Sequence, residues 1–492
     1  MRASIHARRA EPTVTTSEEQ SQDRGQVRTR VHVFRDDALG DLDAVGLAAA
    51  IRRGEVSPAE AARDAAARVR DADALLDAVQ VRLDEPAHHG GGGGAFAGVP
   101  TFVKDNTDYA GLPTGHGSAA FVPRPARRHA PFTRQLLSTG VTVLGKTRLP
   151  EFGFSPSTEF EEGPPVRNPW NTAHSAGGSS GGSAALVAAG AVPVAHANDG
   201  GGSIRIPAAA CGLVGLKPTR GRVVPNAQGR QLPIDVVVDG VVSRTVRDSA
   251  AFLAAAELHH RNPKLPALGL VERPGERRLR IGLLVDSPNG VRTDEATRAA
   301  VTDTARRLER LGHTVTPVEL NIDPRFTEDF LNYWGLLSFL IGATGRTMGA
   351  EFDRHRMDGL SRGLRATYAA NWRRTPGVLR RLKRTREAYA AAFRGLDLIL
   401  SPVLAHTTPP LGHLNPSVPY ATLIERILAY VAFTPVNNVV GTPSISIPAA
   451  STTADGLPVG VMFSGRPGAE RTLLELAFEL EAEQGFPGIT DA

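Results

Sequence analysis

Residues 196–219 read HANDGGGSIRIPAAACGLVGLKPT, so that Gly200, Gly201 and Gly202 stand directly between an apolar run and Ser203. Three consecutive glycines cost conformational entropy and interrupt regular structure, so a packed chain keeps them only where the backbone must turn sharply or approach something closely. A flexible linker would not begin where a buried strand ends. The segment before it, VPVAHA from Val192, has that strand character, and the preceding GSAALVAA, residues 182–189, suits a helix closed by Gly190. The same alternation continues with RIGLLV from Arg280, DEATRAAVTDTARRLERLG from Asp294, LDLILSP from Leu396 and TPSISIPAA from Thr442. Strands alternating with helices predict an α/β fold with a largely parallel or mixed sheet covered by helices.

Earlier in the chain, Leu42 to Asp73 has helical spacing, with Ser57 placed as an N-cap and Pro58 in the first turn. HHGGGGG from His88 predicts a flexible loop, and the strands GVPTFVKD and GVTVLGKT follow, the apolar part of the first ending at Lys104. Residues 1–30 are polar and predict a disordered tail, leaving 31–492 as a single domain. Within it, residues 320–390 are more helical and more basic than their surroundings, as an insertion covering one side of a cleft would be.

The charge balance of 56 basic against 51 acidic residues is mild for 492 residues and does not point to nucleic acid. The densest basic run, RRLKRTREAYAAAF from Arg380, reads as the solvated face of a helix. A single cysteine, Cys211, rules out an intrachain disulfide and fits a reducing compartment. The N-terminus lacks the apolar core of a secretory signal, and no stretch is apolar enough for a membrane span. The expectation is a soluble, cytoplasmic protein.

Several motifs fail on physical grounds. Residues 140–147, GVTVLGKT, match the phosphate-loop pattern, but the intervening VTVL is β-branched and apolar and favours a strand over a cradle of converging N–H groups. His88–His89 and His259–His260 lack carboxylate companions at ligand spacing, so no metal is expected, and no motif calls for a cofactor. Cys211, between Ala210 and Gly212, reads as a small buried residue. In GGSSGGS, residues 177–183, Ser179 and Ser180 both satisfy G-x-S-x-G; an α/β-hydrolase esterase with Ser180 as nucleophile would need a late histidine, for which only His406 and His413 offer themselves.

Lys104 at a strand end, Ser179 at the start of a helix and Ser203 behind its glycines remain. With their surroundings they resemble the amidase signature family of serine hydrolases. GGSSGGSAALVAAG and DGGGSIRIPAAACGLVGLKPTRGRV match its signature nearly continuously, Lys104 occupies the lysine of its V-K-D element, and VLGKTRLPEFGFS, NNVVGTPSISIP and GLPVGVMF agree as flanking blocks from about residue 40 to 485. One departure is Val224, where the family often has serine. The resemblance implies a large twisted mixed β-sheet sandwiched between α-helices, a Ser-(cis)Ser-Lys triad of Ser203, Ser179 and Lys104, and a cis peptide before Ser179.

The chemistry of these residue types is consistent with that. A serine hydroxyl needs a base, and lysine serves only when neutral, which burial favours. Ser179 would relay the proton, and the N–H groups of Gly200, Gly201, Gly202 and Ser203 would form an oxyanion hole, where losing one donor costs about 2.7–4 kcal/mol. Gly178, Ser180, Asp199 and Arg205 fall at motif positions that brace the loop. The implied activity is hydrolysis of a small-molecule carboxylic amide to carboxylate and ammonia or amine, through an acyl-enzyme. Hydrolysis of cyclic amide oligomers, of the 6-aminohexanoate cyclic-dimer type, is the alternative within the family. The A subunit of a tRNA-dependent amidotransferase is disfavoured, because its G-x-E-V-[KR]-R-R-I block has no match here. Many relatives are dimers, so a homodimer follows by analogy alone.

Overall fold

The computed structural model describes residues 29–88, 93–226, 229 and 232–491. Residues 1–28 and His89 lie outside them, and with them most of the expected tail and of the loop after His88.

The first helical stretch is two helices, Ala44–Arg52 and Pro58–Leu76. They part at Gly54, whose φ of 75° no other residue type adopts without strain. The second opens on a capping box: Glu60 N–H donates to Ser57 Oγ at 3.1 Å, and Ser57 N–H donates to the Glu60 carboxylate at 2.9 Å. A small sheet follows, in which Thr142–Thr147 lies between Val79–His88, antiparallel, and Pro100–Lys104, parallel. The phosphate-loop look-alike is therefore the strand Thr142–Thr147, buried along its whole length.

The main sheet has eight strands. From one edge to the other they are Thr314–Pro317, Arg280–Leu283, Leu398–Pro402, Pro458–Gly465, Ser444–Thr452, Val214–Lys217, Val238–Ser243 and Val194–Asp199. The first three are parallel and each remaining pair is antiparallel, so the sheet is mixed. Helices Arg205–Cys211, Val246–His259, Glu295–Arg310 and Glu470–Gln484 pack on it. A large mixed sheet flanked by helices is the architecture the sequence implies.

The edge strand Val194–Asp199 positions the chemistry. The small sheet docks on it: Thr101 Oγ1 donates to Val194 O at 2.9 Å, and the Lys104 N–H donates to His196 Nδ1 at 3.1 Å. Helix Gly181–Ala188 packs on the same strand, and Ser183 Oγ donates to His196 O at 2.7 Å. One strand thus brings together the end of the lysine strand, the start of the serine-flanked helix and the triglycine turn into which it runs.

Residues 320–390 contain the helices Phe326–Thr344, Gly359–Asn371 and Thr375–Ala392. The last buries Val378, Leu382, Thr385 and Tyr389 and turns Arg380, Lys383, Arg384 and Arg386 to solvent, which accounts for the basic run. Among the described residues no helix is long and apolar enough to cross a membrane.

Candidate active site

Lys104 is wholly buried, yet its ammonium touches no carboxylate. Its Nζ lies 2.7 Å from Ser179 Oγ, 3.0 Å from Ser180 Oγ and 2.8 Å from Asn198 Oδ1. Burial drives its pKa down from 10.5 to about 7, against the upward pull of the Asp199 and Asp239 charges.

The neighbours fix how the amine is used. Ser180 Oγ donates to Ser203 O at 2.6 Å, so toward Lys104 it can only accept. Asn198 Nδ2 donates to Asn106 Oδ1 at 3.0 Å, which turns the Asn198 oxygen toward Lys104. A neutral amine has two hydrogens and one lone pair. The hydrogens go to Ser180 and Asn198, and the lone pair is left facing the Ser179 hydroxyl.

Ser179 and Ser180 are buried, and the Gly178–Ser179 peptide is cis. A side chain on Gly178 would put its Cβ 2.7 Å from Ser155 O and 2.8 Å from Ser157 N, so this position tolerates only glycine. On the other side, Gly153 leaves Ser179 Oγ room that a Cβ would crowd to 3.1 Å.

In the triglycine turn the backbone N–H groups divide. That of Gly202 donates to Asp199 Oδ1 at 2.7 Å, so it braces the turn where the sequence reading placed it in the oxyanion hole. Those of Gly200, Gly201 and Ser203 have no acceptor among the described residues. A side chain at Gly202, where φ is 138°, would meet Thr434 Oγ1 at 2.5 Å. Asp199 also accepts from Ile204 N–H at 3.1 Å and from Arg205 through Nε and Nη2, both at 2.9 Å. Burial alone would raise the Asp199 carboxyl, but the Arg205 guanidinium outweighs it and holds it well below the ordinary range. Arg205 reaches on to Asn437 Oδ1 at 3.1 Å and Asn438 Oδ1 at 2.7 Å.

Ser203 opens on a cavity of about 70 Å³ whose walls include Phe154, Gly201, Phe330, Trp334, Ile427 and Val431. Lys104 and Ser179 are thus brought together, and Ser180 ties them to the Ser203 backbone. Between the Ser179 and Ser203 hydroxyls no hydrogen bond is formed in this conformation. The cavity takes walls from 320–390 through Phe330, Leu331, Trp334 and Leu360, and from Ile424, Ile427, Leu428 and Val431 later in the chain.

Sequence reasoning missed the supports of the lysine. Asn198 and Asn106 are ordinary polar residues, although Asn198 directly precedes the conspicuous DGGGS. His196 accepts from the Lys104 N–H through Nδ1, so Nε2 carries its hydrogen and faces Asp239 Oδ1 at 3.2 Å. No sequence signal links Asp239 to a strand 135 positions upstream of it. Other candidates stay apart. Ser180 contacts no histidine; His406 engages Thr407 O instead, at 2.8 Å. Burial raises the Cys211 thiol pKa far above its usual value. No cluster of potential metal ligands occurs among the described residues.

A family model described as Amidase matches residues 56–474. The chain is 50% identical over 457 residues to the protein named "Putative amidase AmiC" in Mycobacterium leprae (strain TN), covering 92% of this chain and 97% of that one. It is 33% identical over 479 residues to the 6-aminohexanoate-cyclic-dimer hydrolase of Pseudomonas sp. (strain NK87), covering 89% and 94%. Among solved structures it resembles 6-aminohexanoate cyclic dimer hydrolase complexed with substrate, with a TM-score of 0.79, 29% identity and coverage of 92% of this chain and 98% of that one.

Proposed function

Because this chain belongs to the amidase family, that of the amidase signature enzymes, and is an amidase acting on carbon–nitrogen bonds, we propose that Ser203 attacks the carbonyl carbon of a small-molecule amide with Lys104 and Ser179 as its proton relay. The observation that carries this reading is the buried Lys104 amine, in contact with Ser179 Oγ, Ser180 Oγ and Asn198 Oδ1 and with no carboxylate. Ser179 gives its proton to Lys104 and takes one from Ser203, through a contact that closes when substrate is bound. Ser203 Oγ then forms a bond to the carbonyl carbon, and the oxygen gains negative charge that the N–H groups of Gly200, Gly201 and Ser203 stabilise. The C–N bond breaks as the relayed proton passes to the nitrogen, which departs as amine or ammonia. Water deprotonated by the same relay cleaves the acyl ester, releasing carboxylate and restoring the Ser203 hydroxyl.

In this reading Gly178, Gly202, Ser180, Asp199 and Arg205 hold the geometry. Residues 31–492 act as one domain in which 320–390 covers the cleft. The likeness to the cyclic-dimer hydrolases keeps a cyclic amide as the second reading of the substrate. Labelling with a fluorophosphonate followed by peptide mapping tests the assignment. The adduct is expected on Ser203 and to be lost in Ser203→Ala; an adduct on Ser180 would overturn it.

A further inference from the structure

The cavity at Ser203 shares a wall with a second cavity. Phe330, Leu428, Val431 and Pro435 line it on one side and the second cavity, of about 50 Å³, on the other. The second cavity extends to Leu320, Ile322, Ile399 and Met462. Phe326, Phe330 and Trp334 recur every four residues on helix Phe326–Thr344 and so share one face of it. Their rings contact in sequence, with centroids 6.2 Å apart for Phe326–Phe330 and 5.1 Å for Phe330–Trp334. This aromatic rail begins over Gly201, where a Cβ would come within 3.2 Å of the Trp334 ring, and ends in the second cavity. The Trp334 indole is fixed by donating to Phe154 O at 3.3 Å. No Asp, Glu, Lys or Arg side chain lines either cavity.

We infer that the two cavities form one acyl site without charged side chains, divided at Phe330, and that the preferred substrates are amides of long, uncharged acyl chains. This rests on Ser203 being the nucleophile. The acyl group is the part that stays bonded to Ser203, whereas the departing nitrogen must face Ser179, which lines neither cavity. A charge at the chain end would be stripped of water and meet only neutral polar groups, among them Asn289, Thr327, Ser401 and Ser464, with no opposite charge to replace the water.

The test is the kcat/KM of a series of linear alkanoyl p-nitroanilides from acetyl to decanoyl, together with octanoyl analogues ending in carboxylate or ammonium. The protein and its Ile322→Trp variant, which fills the far cavity, are compared by the ratio of long-chain to short-chain values within each. Wild type is expected to favour long chains by at least tenfold, to lose that ratio in Ile322→Trp, and to reject charged chain ends by about a hundredfold. A flat length profile with short amides turned over, or a preference for the ammonium-ended chain, would overturn the acyl site and leave the hydrolase reading standing. Failure to turn over any member, with no fluorophosphonate adduct on Ser203, would overturn both.

Discussion

Two buried lysines stand on neighbouring strands of the small sheet and are used in opposite ways. Lys146 Nζ lies 2.6 Å from Asp105 Oδ1 and donates to Pro113 O at 2.7 Å and Thr114 Oγ1 at 2.9 Å. Burial lowers its pKa, but the contacting carboxylate opposes this and favours the ammonium. Lys104 has two hydroxyls and an amide in place of a carboxylate, and burial takes it down to about 7. The residue type and the degree of burial are shared; the partner decides between a structural cation and a base.

The widest separation is expected from paired substitutions. Lys104→Met should lower kcat/KM by at least about 10³-fold, within the range for loss of a general base, while the protein stays folded by circular dichroism. Lys146→Met should do the reverse. It strands the Asp105 carboxylate and should cost roughly 3–5 kcal/mol in denaturant unfolding, with turnover per folded molecule retained. Equal losses of activity in the two variants would erase the distinction.

A smaller effect should appear in stability against pH. With a folded pKa near 7 and an ordinary value of 10.5, Lys104 binds fewer protons folded than unfolded between those limits. Its burial therefore costs most below pH 7, and the cost fades as pH rises toward 10.5. Lys104→Met should exceed wild type in stability at pH 6, and its advantage should shrink through that window. A constant difference would argue against a depressed pKa.

The mildest change should come from Ser180→Ala. It removes the hydrogen bonds from Lys104 and to Ser203 O, and a net loss of about 1 kcal/mol predicts a roughly five- to tenfold fall in kcat/KM. Because the Ser180 oxygen also supports the charged amine, the limb of the pH–rate profile that reports Lys104 should move to lower pH. A fall in rate with an unmoved limb would make Ser180 merely structural.

These contrasts show what the sequence could and could not convey. The spacing of Lys104, Ser179 and Ser203 was legible through their glycine and serine surroundings, and the strand Thr142–Thr147 through its β-branched residues. The strand alternation indicated a helix-covered sheet, parallel or mixed, and the family resemblance pointed to the mixed form. What the sequence could not convey was pairing across the fold. Asn198 meets Asn106 only once the small sheet docks on the edge strand Val194–Asp199, and His196 meets Asp239 only once that strand pairs with Val238–Ser243. Asn437 and Asn438 lie in a recognised block, NNVVGTPSISIP, but nothing local told that they hold Arg205. Even the glycine turn was only half readable: its need for glycine was plain, whereas the commitment of the Gly202 N–H to Asp199 depends on where a carboxylate points.

The most direct measurement is the titration of the Lys104 amine itself, by heteronuclear NMR of protein carrying labelled lysine side chains. Lys217 is also buried and also lowered to about 7, so the resonance must be assigned by its absence from Lys104→Met and its persistence in Lys217→Met. With Lys104 as the base, this resonance is expected to shift with a midpoint near pH 7. A midpoint above 10 would mean that Lys104 is an ammonium at neutral pH, and the proposed proton relay would have no base.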